Sequence, residues 1–337
     1  MRVLIIKLGA IGDICQMLTA IQAARMESPT SKYDLVTSRS LVEYVKQYDL
    51  FEQIFPVDEG KLFKGSFFKR LTKVISVNLS LSFRKYDRVV IPYFDKRYKV
   101  LKISDFLSSE MFNSEDLFSG EFAALNRTST YYKLICRSEL SEAKFKSAFM
   151  ELAEKAQKRF GGSFKNFSGR SDNDILVAII PGGAANIVSE ETLRRWPIEH
   201  YVAIARGLVN KGYSVYLLGG ANDRWASPFF APLDLIDLIG KTSVLELQSL
   251  LSRMNYVLSH DTGPLHLSML TQAKVISLFG PTPSSAIVPP FRSNTVILRG
   301  NAECSPCYDG RKYADCDNNF CMSSISPETV LAEFEEV

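Results

Sequence analysis

The sequence contains no long hydrophobic run. No apolar stretch among its 337 residues reaches the roughly 18 residues that a membrane-spanning helix needs. The chain also lacks the pattern of a secretory signal peptide, because its first apolar run is short and charged Lys7 and Asp13 follow it. We therefore expect a cytoplasmic protein, and a peripheral position at a membrane surface remains open.

Three other absences narrow the choice of function. The net charge of +3 is too small to indicate a nucleic-acid partner. The G-x-G-x-x-G spacing of dinucleotide-binding turns is missing, which disfavours a nicotinamide-dependent enzyme. Neither H-E-x-x-H nor another histidine ligand spacing is present, so the histidines do not predict a metal centre.

The length of the chain and its alternating elements predict two α/β domains. Single hydrophobic cores stop growing at about 250–300 residues, and apolar strands here alternate with helical stretches. We predict a first domain at residues 1–167, a Gly/Ser-rich linker at about 160–173, a second domain at 174–323 and a C-terminal helix at 324–337 that begins at Ser326-Pro327. The predicted strands are residues 3–6, 34–37, 88–91, 175–180, 213–218, 236–239, 256–258 and 275–278.

A glycine turn links the first strand to its helix. Gly9 and Gly12 let a ligand approach the backbone, and Asp13 falls at the start of the helix. Asp13 could act only as a helix-stabilising aspartate. Alternatively, it is a general base that takes a proton from a sugar hydroxyl, kept ionised by the helix N-terminus.

Two strand-to-helix connections of the second domain carry candidate phosphate ligands. Gly182 and Gly183 follow a strand and leave backbone N–H groups open to an anion, and Arg194 precedes Trp196-Pro197. One interpretation is an ordinary connection with surface arginines and a packed tryptophan. The other is an arginine clamp on a pyrophosphate, because a guanidinium matches phosphate oxygens at two points.

The next two connections add further polar groups. Asn222 and Asp223 follow Gly219-Gly220, where either side chain meets a ribose or base, or caps the following helix. The segment Ser259-His260-Asp261-Thr262-Gly263-Pro264-Leu265-His266 then ends a strand and begins a helix, which leaves N–H groups free to hold a phosphate. A core histidine is the simple alternative for His260 and His266.

A basic block occupies residues 61–102. It holds twelve Lys and Arg residues, opposed only by Asp87 and Asp95. Such a block is usually a solvated face, but it also fits an anionic acceptor sugar, a phosphate or an anionic membrane surface. Lys61 and Lys64 are its candidate acceptor-binding residues.

The tail is rich in cysteine. Cys304, Cys307, Cys316 and Cys321 lie close together among Pro, Asp and Gly residues. Disulfides are disfavoured in a cytoplasmic protein, which leaves a structural zinc or iron site with four thiolates, or a reduced cluster that packs as small apolar residues.

Three of these segments resemble the signature segments of glycosyltransferase family 9, the bacterial heptosyltransferases. They are residues 8–13, residues 194–197 and residues 259–266. The resemblance implies a GT-B fold of two Rossmann-like domains that face a central cleft. It also implies an inverting, metal-independent transfer of heptose from an ADP-heptose to an anionic glycan or glycolipid such as lipopolysaccharide inner core, without a catalytic cofactor.

The resemblance also assigns roles to residues. It implies that Asp13 is the base, near Gly12 on the acceptor side, and that Arg194, Asp261, Thr262, Gly263 and His266 bind the donor diphosphate. Arg194 departs from the lysine that the family often has. The alternatives are a GT-B enzyme with another nucleotide sugar or a protein acceptor, and a non-catalytic nucleotide-sugar-binding protein.

Overall fold

The structure is a computed structural model that describes residues 1–59, 81, 84–92, 111–113, 125–161, 174–183, 191–309 and 312–334. The chain divides into two compact units, Met1–Leu152 and Ala153–Val337. The predicted linker at 160–173 lies outside the described residues except for its first two positions. Within the described ranges, no helix is long and apolar enough to cross a membrane.

The first unit contains a parallel sheet of five strands in the order β3-β2-β1-β4-β5. The described strands are β1 (Arg2–Ile6), β2 (Lys32–Ser38), β3 (Gln53–Val57), β4 (Arg88–Ile91) and β5 (Met111–Asn113). The helices are α1 (Ile11–Glu27), α2 (Val42–Lys46), α3 (Arg127–Cys136) and α4 (Glu142–Phe160), the last of which spans the boundary between the units.

The central strand β1 is buried on both faces of the sheet. Its side chains Val3, Leu4, Ile5 and Ile6 are all at most 2% exposed, as expected for a strand with helices packed on both faces. Helix α1 follows β1 directly and packs closely against α3. The end of β1 and the first turn of α1 are therefore held by the core of the unit.

The second unit contains a parallel sheet of six strands in the order β11-β10-β9-β6-β7-β8. The strands are β6 (Leu176–Ile180), β7 (Ser214–Leu217), β8 (Ile236–Asp237), β9 (Tyr256–His260), β10 (Lys274–Phe279) and β11 (Thr295–Arg299). The helices are α5 (Ile198–Asn210), α6 (Ser227–Phe230), α7 (Val244–Leu251), α8 (Gly263–Met269), α9 (Phe320–Ser323) and α10 (Pro327–Leu331).

The buried side chain of Arg292 anchors the end of α8. Its guanidinium donates to the carbonyl oxygens of Ser268, Met269, Thr271 and Ala273 at 2.9–3.3 Å. The last carbonyls of a helix have no partner inside the helix, so this one side chain satisfies two of them, on Ser268 and Met269, and two carbonyls of the residues that follow α8. Burial lowers the pKa of Arg292 to about 10, which leaves it charged at neutral pH.

All eight predicted strands are present, with ends that differ by at most two residues. The strands β3, β5 and β11 were not predicted, because the edge strand β3 has one buried residue, the edge strand β11 has none, and β5 has three residues. The predicted last helix begins at Pro327, where the Ser326 hydroxyl accepts from the Thr329 N–H at 3.2 Å. The helix ends earlier than predicted, at Leu331.

Candidate active site

Asp13 lies in the first turn of α1, as the sequence predicts, and its carboxylate is held by two side chains from other elements. Lys7 Nζ, just past the end of β1, lies 2.8 Å from Oδ2, and the hydroxyl of Tyr131 on α3 donates to Oδ1 at 2.9 Å. The Lys7 side chain is 3% exposed, whereas that of Asp13 is 38% exposed. The carboxylate therefore has a fixed orientation and an accessible side.

The surroundings of Asp13 favour its charged form. Burial raises the pKa of Asp13, but the charge of Lys7, the hydrogen bonds from Lys7 and Tyr131 and the charge of Arg127 outweigh it and lower the pKa below its usual range. The positive partners are an additional cause beyond the predicted helix N-terminus. Asp13 is ionised at neutral pH and can accept a proton.

Lys7 and Tyr131 were not identified as site residues from the sequence. Lys7 ends an apolar strand beside a glycine turn, and a charged residue in that place is a signal that could have been used. Tyr131 carries no such signal, because it is 118 positions away from Asp13 along the chain. Only the packing of α3 on α1 brings it to the carboxylate.

The structure describes only one of the three predicted acceptor-binding residues. Lys61 and Lys64 lie outside the described residues, and Gly12 is buried in the first turn of α1. Two other members of the basic block have structural partners, since Arg84 donates to Asp34 at 3.2 Å and buried Arg88 donates to the Ile135 carbonyl. These two do not belong to an open cationic face, so the acceptor role of the block stays a prediction.

In the second unit, Arg194 and Asp261 form an ion pair. Arg194 Nη1 lies 3.2 Å from Asp261 Oδ2 and 3.1 Å from the Asp261 carbonyl oxygen. Asp261 directly follows β9, and the side chains of the pair are 20% and 7% exposed. Among the described residues, no acceptor lies within hydrogen-bond distance of Arg194 Nε.

The charges around Asp261 hold it in the ionised form. Burial raises the pKa of Asp261, but Arg194, His266 and a hydrogen bond from Thr282 lower it below its usual range. Thr282 was not predicted as a site residue. It follows β10 much as Asp261 follows β9, and these neighbouring parallel strands end at the same edge of the sheet.

The glycine connections are closely packed on Asp223. Its carboxylate accepts from the Gly183 N–H at 2.6 Å and the Gly220 N–H at 2.7 Å. A Cβ on Gly182 would lie 2.4 Å from the Asp223 Cγ, so only glycine fits there. The prediction that the Gly183 N–H is open to an anion is therefore wrong, since Asp223 already accepts from it.

The same geometry favours the capping alternative for Asp223, because both carboxylate oxygens are committed to backbone groups. Asn222 is exposed and stays a predicted donor ligand. Arg195 also has a structural role, since its guanidinium donates twice to the Gly183 carbonyl at 2.8 and 3.1 Å. Arg194, by contrast, pairs with the Asp261 carboxylate, and its side chain is 20% exposed.

The two histidines differ. His260 is fully buried, its Nδ1 lies 2.9 Å from the Tyr201 hydroxyl, and burial and the charge of Arg194 lower its pKa to about 3. It is a neutral core residue, as the simple alternative holds. His266 lies in α8, and its charge contributes to the low pKa of Asp261. Thr262 and Gly263 begin the same helix, so the predicted start is confirmed.

The predicted zinc or iron site finds no support in the structure. No group of three or more His, Cys, Asp or Glu residues within the described ranges is arranged to hold a metal ion. Cys304 and Cys316 are exposed and Cys321 is buried. The Cys316 thiol contacts the Asn318 carbonyl at 3.2 Å and the Cys321 thiol contacts Asn319 Oδ1 at 3.4 Å, so these two sulfurs have polar partners other than a metal.

A comparison with known protein families shows which family the chain belongs to. The sequence model of glycosyltransferase family 9 (heptosyltransferase) matches residues 147–316, just over half of the chain. The chain belongs to glycosyltransferase family 9. Its matched region contains Arg194, Asp261 and the start of α8, and the resemblance inferred from the sequence is confirmed.

Relatives of this family 9 chain support the same assignment. Lipooligosaccharide heptosyltransferase 2 of Haemophilus influenzae is 33% identical over 113 residues, which is 32% of this chain and 32% of that protein. The aligned segment thus spans about a third of the relative's length.

Solved structures show the fold. A family 9 glycosyltransferase from Veillonella parvula superposes with a TM-score of 0.70 at 18% identity, covering 98% of this chain and 95% of the other. An Escherichia coli heptosyltransferase with ADP-2-deoxy-2-fluoro heptose superposes with a TM-score of 0.68 at 16% identity, covering 98% of both chains. The predicted GT-B fold class, with its parallel α/β units, is confirmed.

Proposed function

We propose that this family 9 chain transfers a heptose from an ADP-heptose to a hydroxyl of an anionic glycan or glycolipid, such as lipopolysaccharide inner core. The single observation that carries the proposal is the Arg194–Asp261 pair after β9. The pair lies in the segment that the family model matches, and its positively charged member is the more exposed of the two, at 20% against 7% for Asp261.

The Arg194 guanidinium suits the diphosphate of such a donor. Its Nη1 is held by Asp261, so the guanidinium is oriented before a ligand arrives, and the Arg194 side chain is 20% exposed. A diphosphate leaving group develops negative charge as its bond to the sugar breaks, and a preorganised cation stabilises that charge. The solved relative with an ADP-heptose analogue supports the choice of ADP.

The proposed reaction is a single displacement. The acceptor oxygen forms a bond to the anomeric carbon while the bond from that carbon to the ADP oxygen breaks, and the acceptor proton passes to Asp13. One displacement inverts the anomeric configuration. Asp13 is suited to this role because its carboxylate is ionised, oriented by Lys7 and Tyr131, and accessible.

We propose that the reaction needs no metal ion. The positive charge that a metal would supply comes from Arg194, supported by the N–H groups at the start of α8. The acceptor carries negative charge, for which Lys61 and Lys64 remain the predicted ligands. A glycolipid acceptor would also place the protein at the cytoplasmic face of the inner membrane.

The decisive experiment measures ADP release by the purified chain with ADP-heptose and a heptose-deficient inner-core glycan. We expect release that requires the acceptor and is unchanged by a chelator. Calorimetry with ADP, UDP and GDP then separates the alternatives. Preferential binding of UDP or GDP would indicate another nucleotide sugar, and ADP binding without turnover on either a glycan or a protein acceptor would indicate a binding protein.

A further inference from the structure

The cysteine-bearing segment, residues 302–309 and 312–321, has no role in the function proposed above. Its backbone is fastened to the turn after β10. The Cys307 and Tyr308 N–H groups both donate to the Pro281 carbonyl, at 3.1 and 3.0 Å, and the Ser305 hydroxyl donates to the Gly280 carbonyl at 2.6 Å. The segment is therefore part of the same strand edge that carries Thr282.

Tyr313 connects this segment to the ion pair. Its hydroxyl lies 3.2 Å from Thr282 Oγ1, and its ring packs on Tyr308 with centroids 4.7 Å apart. Thr282 is 5% exposed, and a hydrogen bond from its hydroxyl helps to lower the pKa of the Asp261 carboxyl. The charge of Arg194 lowers the pKa of the Tyr313 phenol and that of Asp261 raises it.

The donor directions in this chain are determined by chemistry. An ionised carboxylate can only accept, so the Thr282 hydroxyl donates to Asp261. A hydroxyl has one proton, so Thr282 must accept from the Tyr313 O–H. The order is therefore Tyr313 to Thr282 to Asp261, and Arg194 donates to the same carboxylate.

We propose that Tyr313 is a positioning residue of the diphosphate site, and that the cysteine-bearing segment is thereby a structural part of the donor-binding site. Tyr313 fixes the proton of Thr282 on Asp261, and Asp261 in turn orients Arg194 toward a phosphate. The proposal rests on the proposed function in one respect, namely that the anion bound here is the diphosphate of the donor.

The test compares two probes, ADP and inorganic pyrophosphate, by calorimetry on the full chain. Tyr313→Phe removes only the hydroxyl and keeps the ring stack, and we expect about a two- to tenfold weaker affinity for both probes, because one net hydrogen bond is lost. Thr282→Val should weaken binding similarly, whereas Thr282→Ser, which keeps the hydroxyl, should restore it. Tyr308→Phe is the matched control in the same stack.

A double-mutant cycle separates positioning from general damage. If Tyr313 acts through Thr282, then Tyr313→Phe has no further effect in the Thr282→Val background. In turnover assays it should raise the donor KM and leave kcat unchanged, with an unchanged unfolding midpoint. Losses that multiply in the double variant, or wild-type affinity in Tyr313→Phe, overturn the inference.

The outcomes also distinguish this inference from the proposed function. A wild-type chain that binds ADP and pyrophosphate but transfers no heptose contradicts the proposed function and leaves the positioning role intact. A chain that transfers heptose, with the wild-type donor KM and probe affinities retained in its Tyr313→Phe form, contradicts the positioning role alone. A wild-type chain that binds neither probe contradicts both.

Discussion

In each unit, a carboxylate of the candidate site pairs with a basic side chain, but the two pairs differ in solvent exposure. Asp13 is 38% exposed, with buried Lys7 behind it, whereas Asp261 is 7% exposed and its partner Arg194 is 20% exposed. The accessible partner is thus the acid in the first unit and the base in the second. The Asp13–Lys7 pair can therefore accept a proton from a ligand, whereas the Arg194–Asp261 pair presents positive charge to a ligand.

The largest expected effect is on the proton-accepting pair. Asp13→Asn keeps the shape and a hydrogen-bond acceptor for Lys7 but removes the basic site. We expect kcat for heptose transfer to fall by about 10²–10⁴-fold, the usual contribution of a general base. ADP release from ADP-heptose measures it.

The control for Asp13→Asn is the affinity for ADP, measured by calorimetry. It should stay at the wild-type value, because the ADP-binding residues proposed here belong to the second unit. Undiminished turnover would show that Asp13 is not the base. The two carboxylates would then not differ in function as proposed.

The second expected effect is on the cation-presenting pair. Arg194→Met removes the charge while keeping much of the side-chain volume, and it leaves Asp261 without its main partner. We expect ADP affinity to fall by about ten- to a hundredfold, because hydrogen bonds to charged groups contribute about 1.5–3 kcal/mol. Arg194→Lys should lose less, since it keeps the charge. Equal ADP affinity in all three forms would show that the diphosphate binds elsewhere.

A smaller effect is expected on the pH dependence of turnover. The pKa of Asp13 lies below its ordinary value of 3.8, so the acidic limb of the kcat/KM profile should lie below that pH as well. Tyr131→Phe removes a hydrogen bond to the charged form, which raises the pKa and moves the limb to higher pH. Turnover at neutral pH should change little.

The neighbouring Tyr132 provides a matched control for that profile, since its hydroxyl donates to Glu27 and not to Asp13. Tyr132→Phe should leave the acidic limb in place. The free energy of unfolding depends on the same group. Ionised Asp13 stabilises the folded state above its unfolded pKa, and this stabilisation is lost as the pH falls through its lower folded pKa. If both variants shift the limb equally, the contact with Tyr131 does not set the pKa of Asp13.

The last prediction concerns the pKa of His260, which reports whether water reaches the buried residues after β9. Burial lowers the pKa of His260 to about 3, so its imidazole should stay neutral to about pH 4 in an NMR titration. The unfolded chain takes up this proton near pH 6.5, so stability should decline as pH falls from about 6.5 toward 3. A His260 resonance that titrates near pH 6 would indicate a solvated site and weaken the contrast with Asp13.

The sequence predicts what is local in this molecule. Buried strands such as β1 and β9 are continuous apolar runs, and the residues that follow them, including Asp13 and Asp261, could be placed at strand or helix ends. The family resemblance added roles for these residues. Neither the sequence pattern nor the family resemblance identified Tyr131 or Tyr313. Each of these residues contacts its partner only because elements that are distant along the chain pack together.

Other outcomes depend on geometry that spacing does not contain. Asp223 was an even choice between a ligand contact and a cap, and only the close approach of Gly183 and Gly220 favours the cap. Cys304 and Cys307 have a spacing that is typical of metal ligands, but the four cysteines differ in exposure, and the Cys316 and Cys321 thiols contact different polar atoms. Spacing along the chain limits which side chains can meet, and the folded backbone selects among them.

The contacts of Arg292 have a consequence for ligand entry. This one guanidinium holds carbonyl oxygens at the C-terminal end of α8, the helix whose opposite end starts at Gly263 beside Asp261. A helix that is fastened at its far end cannot slide along its axis when an anion arrives or leaves. The first turn of α8 is therefore in its final position before each binding event, beside an Arg194 guanidinium that Asp261 already orients.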